Sequence, residues 1–195
     1  MCGRYFLNIA LDELENRYGI NSIPEELKDH QGEMFPSNKA PVLFKQESNK
    51  KMGLMNWGFS ASYTNSLVIN ARGETVHKKN LFKESFHRRR CIIPANGFFE
   101  WEDGNGDKIK HFIEINNEDI ISLAGIYDQF KIDGEKRLSF CILTKDAPQE
   151  LKNIHDRIPV IIKREYEDEW LEEKFTPRIF DYLSPKGFDF QKKCK

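Results

Sequence analysis

The second residue, Cys2, places a thiol directly behind the initiator methionine in the segment MCGRYFLN. If Met1 is removed, Cys2 presents an α-amine and a thiol on adjacent carbons. In peptides the amine titrates at about 7.7 to 8.0 and the thiol at about 8.5, so a fraction of each is nucleophilic at neutral pH. An aldehyde could condense with the amine to a Schiff base, and the thiol could then close a thiazolidine ring. Alternatively, Cys2 is an accident of a frayed chain end.

Glu100 stands among aromatic residues in the segment PANGFFEWED. Strand alternation puts it on one face with Phe98, and Phe99 and Trp101 on the other, which predicts a half-buried carboxyl. Burial without a cation raises a carboxyl pKa and suits the group to acid–base catalysis near neutral pH. The alternative is a structural ion pair with an arginine.

Two further polar residues border apolar segments. His155 precedes an apolar strand-like run in NIHDRIPVII, and Asn70 ends one in VINARGETV. An imidazole titrates near neutral pH and could assist sugar ring opening or imine chemistry. An amide could orient a hydroxyl or an oxyanion. The alternatives are a hydrogen-bonded structural histidine and an asparagine that caps a turn.

The elements that must position these residues are mainly strands. Runs rich in Ile, Phe, Val and Leu predict strands over 40–46, 52–59, 67–71, 91–95, 97–102, 109–115, 120–128 and 137–144. Turn signals at 103–107, 116–119 and 133–136 are typical of hairpins, which join antiparallel strands.

Helical spacing is confined to short segments. It predicts helices over 10–18, with a stop at Gly19, over 80–89 and over 165–174, and a helix start at Asp146 with Pro148. The pattern favours an α+β fold with a curved, barrel-like core of mostly antiparallel strands and peripheral helices.

Composition favours one globular domain over residues 1–195. The chain is 39% hydrophobic and 31% charged, without an apolar run long enough for a membrane span or the pattern of a signal peptide, so we expect a cytoplasmic protein. Its four cysteines include no CxxC pair and no zinc-like spacing. We therefore expect reduced thiols, and neither a metal site nor a cofactor.

Charge alone does not identify a partner. The net charge is −1, but residues 71–90 hold seven bases and two acids, or +5, whereas residues 165–173 hold six acids and no base. The basic cluster could hold a phosphate backbone or could be solvated surface.

Eight segments occur together in an order that resembles a known family. They are MCGRY (1–5), NKAP (38–41), WGF (57–59), INARGET (69–75), RRRCIIPANGFFEW (88–101), LAGIY (123–127), ILT (142–144) and IHDRIP (154–159). This order is similar to that of the SRAP family, the SOS-response-associated abasic-site processing proteins. The resemblance covers residues 1–165 most strongly, with a C-terminal helix and tail over 166–195.

The resemblance implies a covalent reaction with DNA. Cys2, exposed by loss of Met1, would link to the ring-opened aldehyde of an abasic site in single-stranded DNA. Asn70 would hydrogen-bond the cross-linked sugar or thiazolidine, and Glu100 would manage the proton on the α-amine. His155 would assist ring opening and the reverse reaction. The family is classed both as a thiol autopeptidase that removes its own methionine and as a lyase.

The resemblance also implies DNA contacts. Arg4, Arg72 and Arg157 would hold the phosphates that flank the lesion, and Trp101 and Thr144 would complete the pocket. The expected partner is single-stranded DNA containing abasic sites, bound by a monomer without a metal ion. Two other hypotheses remain: a cysteine peptidase that uses Cys2, Glu100 and His155, and a non-catalytic nucleic-acid-binding module.

Overall fold

The computed structural model describes residues 2–60, 66–104, 106–132, 134–172 and 187–194. Within these ranges the strands are β1 Arg4–Leu7, β2 Gly32–Met34, β3 Lys39–Gln46, β4 Asn49–Trp57, β5 Asn70–Arg72, β6 Arg90–Ala95, β7 Gly97–Asp103, β8 Lys108–Ile115, β9 Ile121–Ile132, β10 Glu135–Asp146, β11 Arg157–Pro159, β12 Ile161–Ile162 and β13 Phe190–Cys194. The α-helices are α1 Leu11–Tyr18, α2 Lys83–Arg88 and α3 Glu167–Leu171, and 3₁₀ turns lie at Glu25–Asp29, Gln149–Leu151 and Arg164–Tyr166.

The core of the fold is a closed barrel of five strands. Strands β10, β4, β3, β6 and β9 pair in that order, and β9 pairs back with β10 to close the ring. All of these pairings are antiparallel except β10–β4. Large buried rings fill the interior, with Trp57 stacked on Phe140 at 6.1 Å between centroids. The predicted barrel-like α+β fold is confirmed.

A second sheet lies beside the barrel, with strand order β13-β8-β7-β1-β2. Its register pairs Tyr5 with Phe98 and Arg4 with Phe99. Because side chains alternate along a strand, Tyr5, Phe98 and Glu100 occupy one face, whereas Arg4, Phe99 and Trp101 occupy the other. The first face, which we call the inner face, carries the candidate acid.

Each predicted strand overlaps an observed one, but one predicted hairpin is wrong. The turn at 116–119 leads from β8 in the five-stranded sheet to β9 in the barrel, and these two strands do not pair. Strands β11 and β12 fall in the apolar strand-like run after His155, whereas β1, β2 and β13 were not predicted. The sequences of these three strands are short or polar and lack the long apolar runs on which strand prediction depends.

The helices begin and end inside their predicted ranges. Helix α1 stops at Gly19, which is left-handed with φ 63° and allows the chain to leave the helix without steric cost. Helix α2 begins at Lys83 rather than residue 80, and the helix start predicted at Asp146 is only the 3₁₀ turn after Pro148. Residues 173–186, most of the predicted C-terminal helix and tail, lie outside the described residues. In the described part of the chain, no helix is long and apolar enough to cross a membrane.

Each charge cluster is partly engaged in internal contacts, whereas Arg72, Lys78, Lys79 and Lys83 of the basic cluster are exposed. Arg90 is buried, and its guanidinium donates hydrogen bonds to four carbonyl oxygens, those of Phe86, His87, Trp170 and Glu172. Burial lowers the pKa of Arg90 to about 10. Arg89 pairs with Asp128 and Arg88 with Glu84. In the acidic segment, carboxylates pair with Arg17, Lys45 and Lys50.

Candidate active site around Cys2

The chain end before β1 is fixed by a side chain of the barrel. Asn70, on β5, donates a hydrogen bond from Nδ2 to the carbonyl oxygen of Cys2 at 2.8 Å. Strand β5 owes its position to parallel pairing with β10, where Asn70 lies opposite Ile142. The Oδ1 atom of Asn70 is buried and has no hydrogen-bond partner among the described residues. Asn70 therefore holds the backbone of Cys2 rather than capping a turn.

Cys2 is 0% exposed, and its Sγ lies 3.8 Å from the carbonyl oxygen of Arg4. Burial, with a smaller contribution from the charge of Glu100, raises the pKa of the thiol far above its ordinary value. The thiol is therefore neutral at physiological pH in the chain that carries Met1. Cys91, Cys141 and Cys194 are also free, as expected for reduced thiols.

Glu100 lies on the inner face of β7 and is only 2% exposed, so it is fully buried rather than half-buried as predicted. Burial raises the pKa of Glu100 to about 7. A carboxyl with this pKa can both give and accept a proton at neutral pH.

Tyr5 is a neighbour of the site that sequence analysis missed. It is 0% exposed, its ring centroid lies 5.2 Å from that of Trp57, and its hydroxyl has no hydrogen-bond partner within the described ranges. Burial, followed by the charge of Cys2, raises the pKa of the Tyr5 hydroxyl. The signal that could have found it is the phase of β1, which buries every second residue.

His155 is half-buried in the turn before β11, and partial burial lowers its pKa. Its Nδ1 accepts a hydrogen bond from the backbone N–H of Arg157 at 2.9 Å, so the proton of the neutral ring resides on Nε2. The charges of Lys108 and Asp103 have smaller effects on the pKa of His155.

Arg4 and Trp101 occupy the outer face of the second sheet, opposite Glu100. The Arg4 guanidinium lies 4.3 Å from the ring centroid of Phe35 and 5.2 Å from that of Trp101. It also donates a hydrogen bond to Glu33 at 2.9 Å. The structure therefore does not bring these two residues onto the face of the candidate acid. On the outer face, Arg4 lies against two aromatic rings and pairs with Glu33.

Arg157 is held by carboxylates rather than presented to solvent. It donates to both oxygens of Glu74 at 2.8 and 2.9 Å and to Asp146 at 2.6 Å, and its side chain is 12% exposed. It also donates to the carbonyl oxygen of Thr144 at 2.7 Å. Thr144 itself is buried, whereas Arg72 is exposed. Of Arg72, Thr144 and Arg157, Arg72 is the exposed residue.

Metal-ligating side chains do not gather in the part of the chain that the structure describes: no group of three or more His, Cys, Asp or Glu residues there could hold an ion. The chemistry that the arrangement can support is that of a thiol, a buried acid and a neutral imidazole.

Comparison with known proteins gives consistent matches over nearly the whole chain. Residues 1–187 match the family described as SOS response associated peptidase (SRAP). The abasic site processing protein YoaM of Bacillus subtilis is 31% identical over 191 residues, which cover 94% of this chain and 83% of that protein. The abasic site processing protein YedK of Escherichia coli is 26% identical over 196 residues, or 96% and 86% of the two chains.

Solved structures of other proteins have the same fold as this chain. A crystal structure of a protein from Bacteroides thetaiotaomicron superposes with a TM-score of 0.86 at 27% identity, covering 99% of this chain and 91% of that one. A protein from Bordetella bronchiseptica, at 18% identity and a TM-score of 0.82, has the same fold.

Proposed function

This chain belongs to the SOS response associated peptidase (SRAP) family, and from that premise we propose that it processes abasic sites in DNA by forming a covalent bond between Cys2 and the aldehyde of the lesion. The names of its relatives support abasic-site processing. The observation that carries the proposal is the hydrogen bond from Asn70 to the Cys2 carbonyl, because it holds the reactive end of the chain beside a buried acid.

The proposed reaction begins after Met1 is removed, since the α-nitrogen of Cys2 is otherwise part of an amide. The free α-amine attacks the aldehyde carbon of the ring-opened sugar to form a carbinolamine. Loss of the hydroxyl as water gives an iminium, and the thiol sulfur adds to its carbon to close a thiazolidine. One amine proton and the thiol proton end in the water that carries away the aldehyde oxygen, so one water leaves for each ring formed and the ring nitrogen keeps one hydrogen.

Glu100 is suited to the proton transfers of this sequence. With a pKa of about 7, its carboxylate can accept a proton from the α-ammonium group, and its acid form can protonate the departing hydroxyl. Its burial excludes the water that would compete for the iminium. Asn70 would keep the amine and thiol of Cys2 oriented and would hydrogen-bond the attached sugar through its buried Oδ1.

His155 would act on the sugar before the bond forms. An abasic deoxyribose is an aldehyde only in its minor open form, so a group that exchanges protons with the ring oxygen and the anomeric hydroxyl should raise the supply of aldehyde. The lowered pKa of His155 keeps the ring neutral, with a proton on Nε2 to donate. The same transfer in reverse would release the DNA, which gives the enzyme its lyase-like character.

Single-stranded DNA is the proposed partner, bound by one copy of the chain in the compartment that holds DNA, without a metal ion. Arg72 is exposed and would contact a phosphate directly. The outer-face group of Arg4, Phe35 and Trp101 offers rings on which a base could stack, worth about 1 to 3 kcal/mol per base. Arg157 and Thr144 would support the pocket from beneath.

Peptidase activity enters the proposal only as removal of Met1, either by an aminopeptidase or by the chain itself. The family description contains the word peptidase and does not say which bond is cleaved. A general peptidase would instead cleave added peptides through Cys2, whereas a non-catalytic binding module would make no covalent product.

The direct experiment incubates Met1-processed protein with single-stranded DNA containing one abasic site. A slower band on a denaturing gel is expected for the wild type and not for Cys2→Ala. The matched control is Cys91→Ala, which removes another buried thiol and should leave the band unchanged. If Cys2→Ala retains the whole activity, the non-catalytic module is favoured and the proposal fails.

A further inference from the structure

A second thiol lies in a catalytic-type arrangement at the edge of the five-stranded sheet, on the inner face that also carries Glu100. Strand β13 pairs antiparallel with β8, and Cys194 lies directly opposite His111. On its other side β8 pairs with β7, where His111 lies opposite Glu100, and Glu102 lies two residues after Glu100 on β7. Directly opposed residues project to one face, so Cys194, His111 and Glu102 share a face.

The three side chains form a chain of contacts. The Sγ of Cys194 lies 3.8 Å from Nδ1 of His111, and Nε2 of the same ring lies 2.8 Å from Oε2 of Glu102. Since a carboxylate only accepts, Nε2 carries the proton that it donates to Glu102. Nδ1 of the neutral ring is then the acceptor that faces the thiol, which is the order of nucleophile, base and orienting carboxylate in thiol enzymes.

The strand that carries Cys194 is anchored by its own contacts. Lys193 pairs with Glu114 at 2.5 Å, Lys192 donates to the carbonyl oxygen of Glu150 at 3.0 Å, and Asn116 contacts Asp189 at the start of the strand. The pairing of thiol and imidazole therefore follows from the register of β13.

Exposure separates this thiol from the others. Cys2, Cys91 and Cys141 are buried, whereas Cys194 is exposed and its base His111 is only 7% exposed. A small reagent can reach the sulfur while the base is shielded from competing water. Exposed thiols next to a proton acceptor are the ones that react selectively.

We propose that Cys194, with His111 as base and Glu102 as orienting group, is a second nucleophilic site that takes small disulfides and becomes a mixed disulfide. The Cys194 thiol proton passes to Nδ1 of His111, and the thiolate attacks one sulfur of the disulfide. The bond between the two reagent sulfurs breaks, and the leaving thiolate takes the proton from the imidazolium. One disulfide and one thiol are consumed, and one mixed disulfide and one thiol form.

A disulfide suits this site better than an acyl substrate. Thiol–disulfide exchange needs an accessible thiolate and a proton for the leaving thiol. Acyl transfer also needs donors placed to stabilise an oxyanion. The imidazole of His111, 3.8 Å from the Cys194 sulfur, can take the proton to form the thiolate and return it to the leaving thiol. The edge position of Cys194 admits a small reagent.

The test measures the rate of reaction of the folded Cys2→Ala protein with 5,5′-dithiobis(2-nitrobenzoate) at neutral pH. This background removes the cysteine of the proposed function, so the two proposals fail independently. The reference is a synthetic peptide of residues 187–195, which keeps the flanking lysines but lacks His111 and Glu102. We expect the protein to react about tenfold faster than the peptide, because base assistance contributes at least that much.

Variants test whether the faster reaction of Cys194 depends on His111 and Glu102. His111→Phe, which suits a strand, should reduce the rate to that of the peptide, Glu102→Gln should fall between, and the control His30→Phe should change nothing. Mass spectrometry should place one adduct on Cys194. A variant that also labels Cys91 or Cys141 has opened its core, and Glu102→Gln then decides the comparison. A rate equal to the peptide's, no effect of Glu102→Gln, an adduct on another cysteine, or a disulfide between two copies would overturn the proposal.

Discussion

Asn70 donates a hydrogen bond to the carbonyl oxygen of Cys2 across 68 residues of sequence, at 2.8 Å. The contact joins the chain end to β5, which is itself held by β10 of the barrel. A terminus that would ordinarily fray is thereby fixed next to Glu100 and Tyr5. The contact keeps the backbone of Cys2 in one place beside the buried acid.

Asn70→Ala should slow cross-linking to abasic DNA about 100-fold, because a preorganised donor at a reacting group contributes roughly that factor. The measurement is the single-turnover rate of covalent product. Asn56→Ala is the matched control, since Asn56 also donates to a backbone carbonyl, that of Leu138, but on the exposed surface. Equal rates for wild type and Asn70→Ala would show that the contact is only structural.

Glu100→Gln should change the pH dependence of stability. Burial raises the folded-state pKa of Glu100 from 4.5 to about 7, so the folded protein holds a proton that the unfolded chain loses. The stability from this group is therefore present below about pH 4.5 and is lost as the pH rises toward 7. Relative to Glu100→Gln, the wild type should lose about 2 to 3 kcal/mol over that window.

Urea unfolding at several pH values measures this difference. Glu26→Gln is the control, since it removes an exposed carboxylate and leaves Glu100 in place, so this variant should follow the wild type through the same window. Parallel curves for wild type and Glu100→Gln would contradict the assignment of a raised pKa to Glu100.

Substitutions of Arg72 and Arg157 should affect different properties, DNA binding for Arg72 and stability for Arg157. Arg72→Gln removes an exposed charge, and it should weaken binding to single-stranded DNA and lower the slope of log affinity against log salt by about 1, without loss of stability. Arg157→Gln breaks the pairing with Glu74 and Asp146 and should cost about 2 kcal/mol of stability. Salt titrations of DNA binding and urea unfolding of both variants distinguish a phosphate contact from a stabilising contact. A lower salt slope with unchanged stability in Arg157→Gln would show that Arg157 contacts a phosphate, contrary to this prediction.

Tyr5→Phe should raise the free energy of unfolding by about 1 kcal/mol, because it removes a buried hydroxyl that has no hydrogen-bond partner among the described residues. Tyr18→Phe is the matched substitution. The Tyr18 hydroxyl lies 3.0 Å from Oγ of Ser122, so its loss should lower stability by about 1 kcal/mol. Thermal unfolding of the two variants gives opposite shifts if the environments are as described, and a loss of stability in Tyr5→Phe would contradict this account.

The sequence could predict the barrel strands because they depend on local patterns, and short local patterns also select the candidate site residues. Strand runs alternate or are apolar throughout, and Cys2, Asn70, Glu100 and His155 each stand in a short distinctive segment. It could not predict that β9 closes on β10, because ring closure depends on backbone pairing between distant residues.

The role of the basic run over 71–90 could not be decided from sequence, which left a phosphate-binding surface and a solvated surface as alternatives. Arg90 fits neither, because it is buried against the carbonyl oxygens of Trp170 and Glu172, some 80 residues away. Arg157 likewise pairs with a residue distant in sequence, Glu74. Net local charge sums neighbours in sequence, whereas the partners that neutralise a guanidinium are neighbours in space.

The most direct test of the central claim maps the covalent adduct on the processed protein. Met1-free protein is reacted with abasic single-stranded DNA, digested with nuclease and trypsin, and the N-terminal peptide Cys2–Arg4 is weighed. We predict a sugar-phosphate remnant on this peptide, with loss of one water and without added reductant, while Cys2→Ser yields an adduct only after borohydride treatment. An adduct on a lysine, or a stable adduct that survives in Cys2→Ala, would contradict the account.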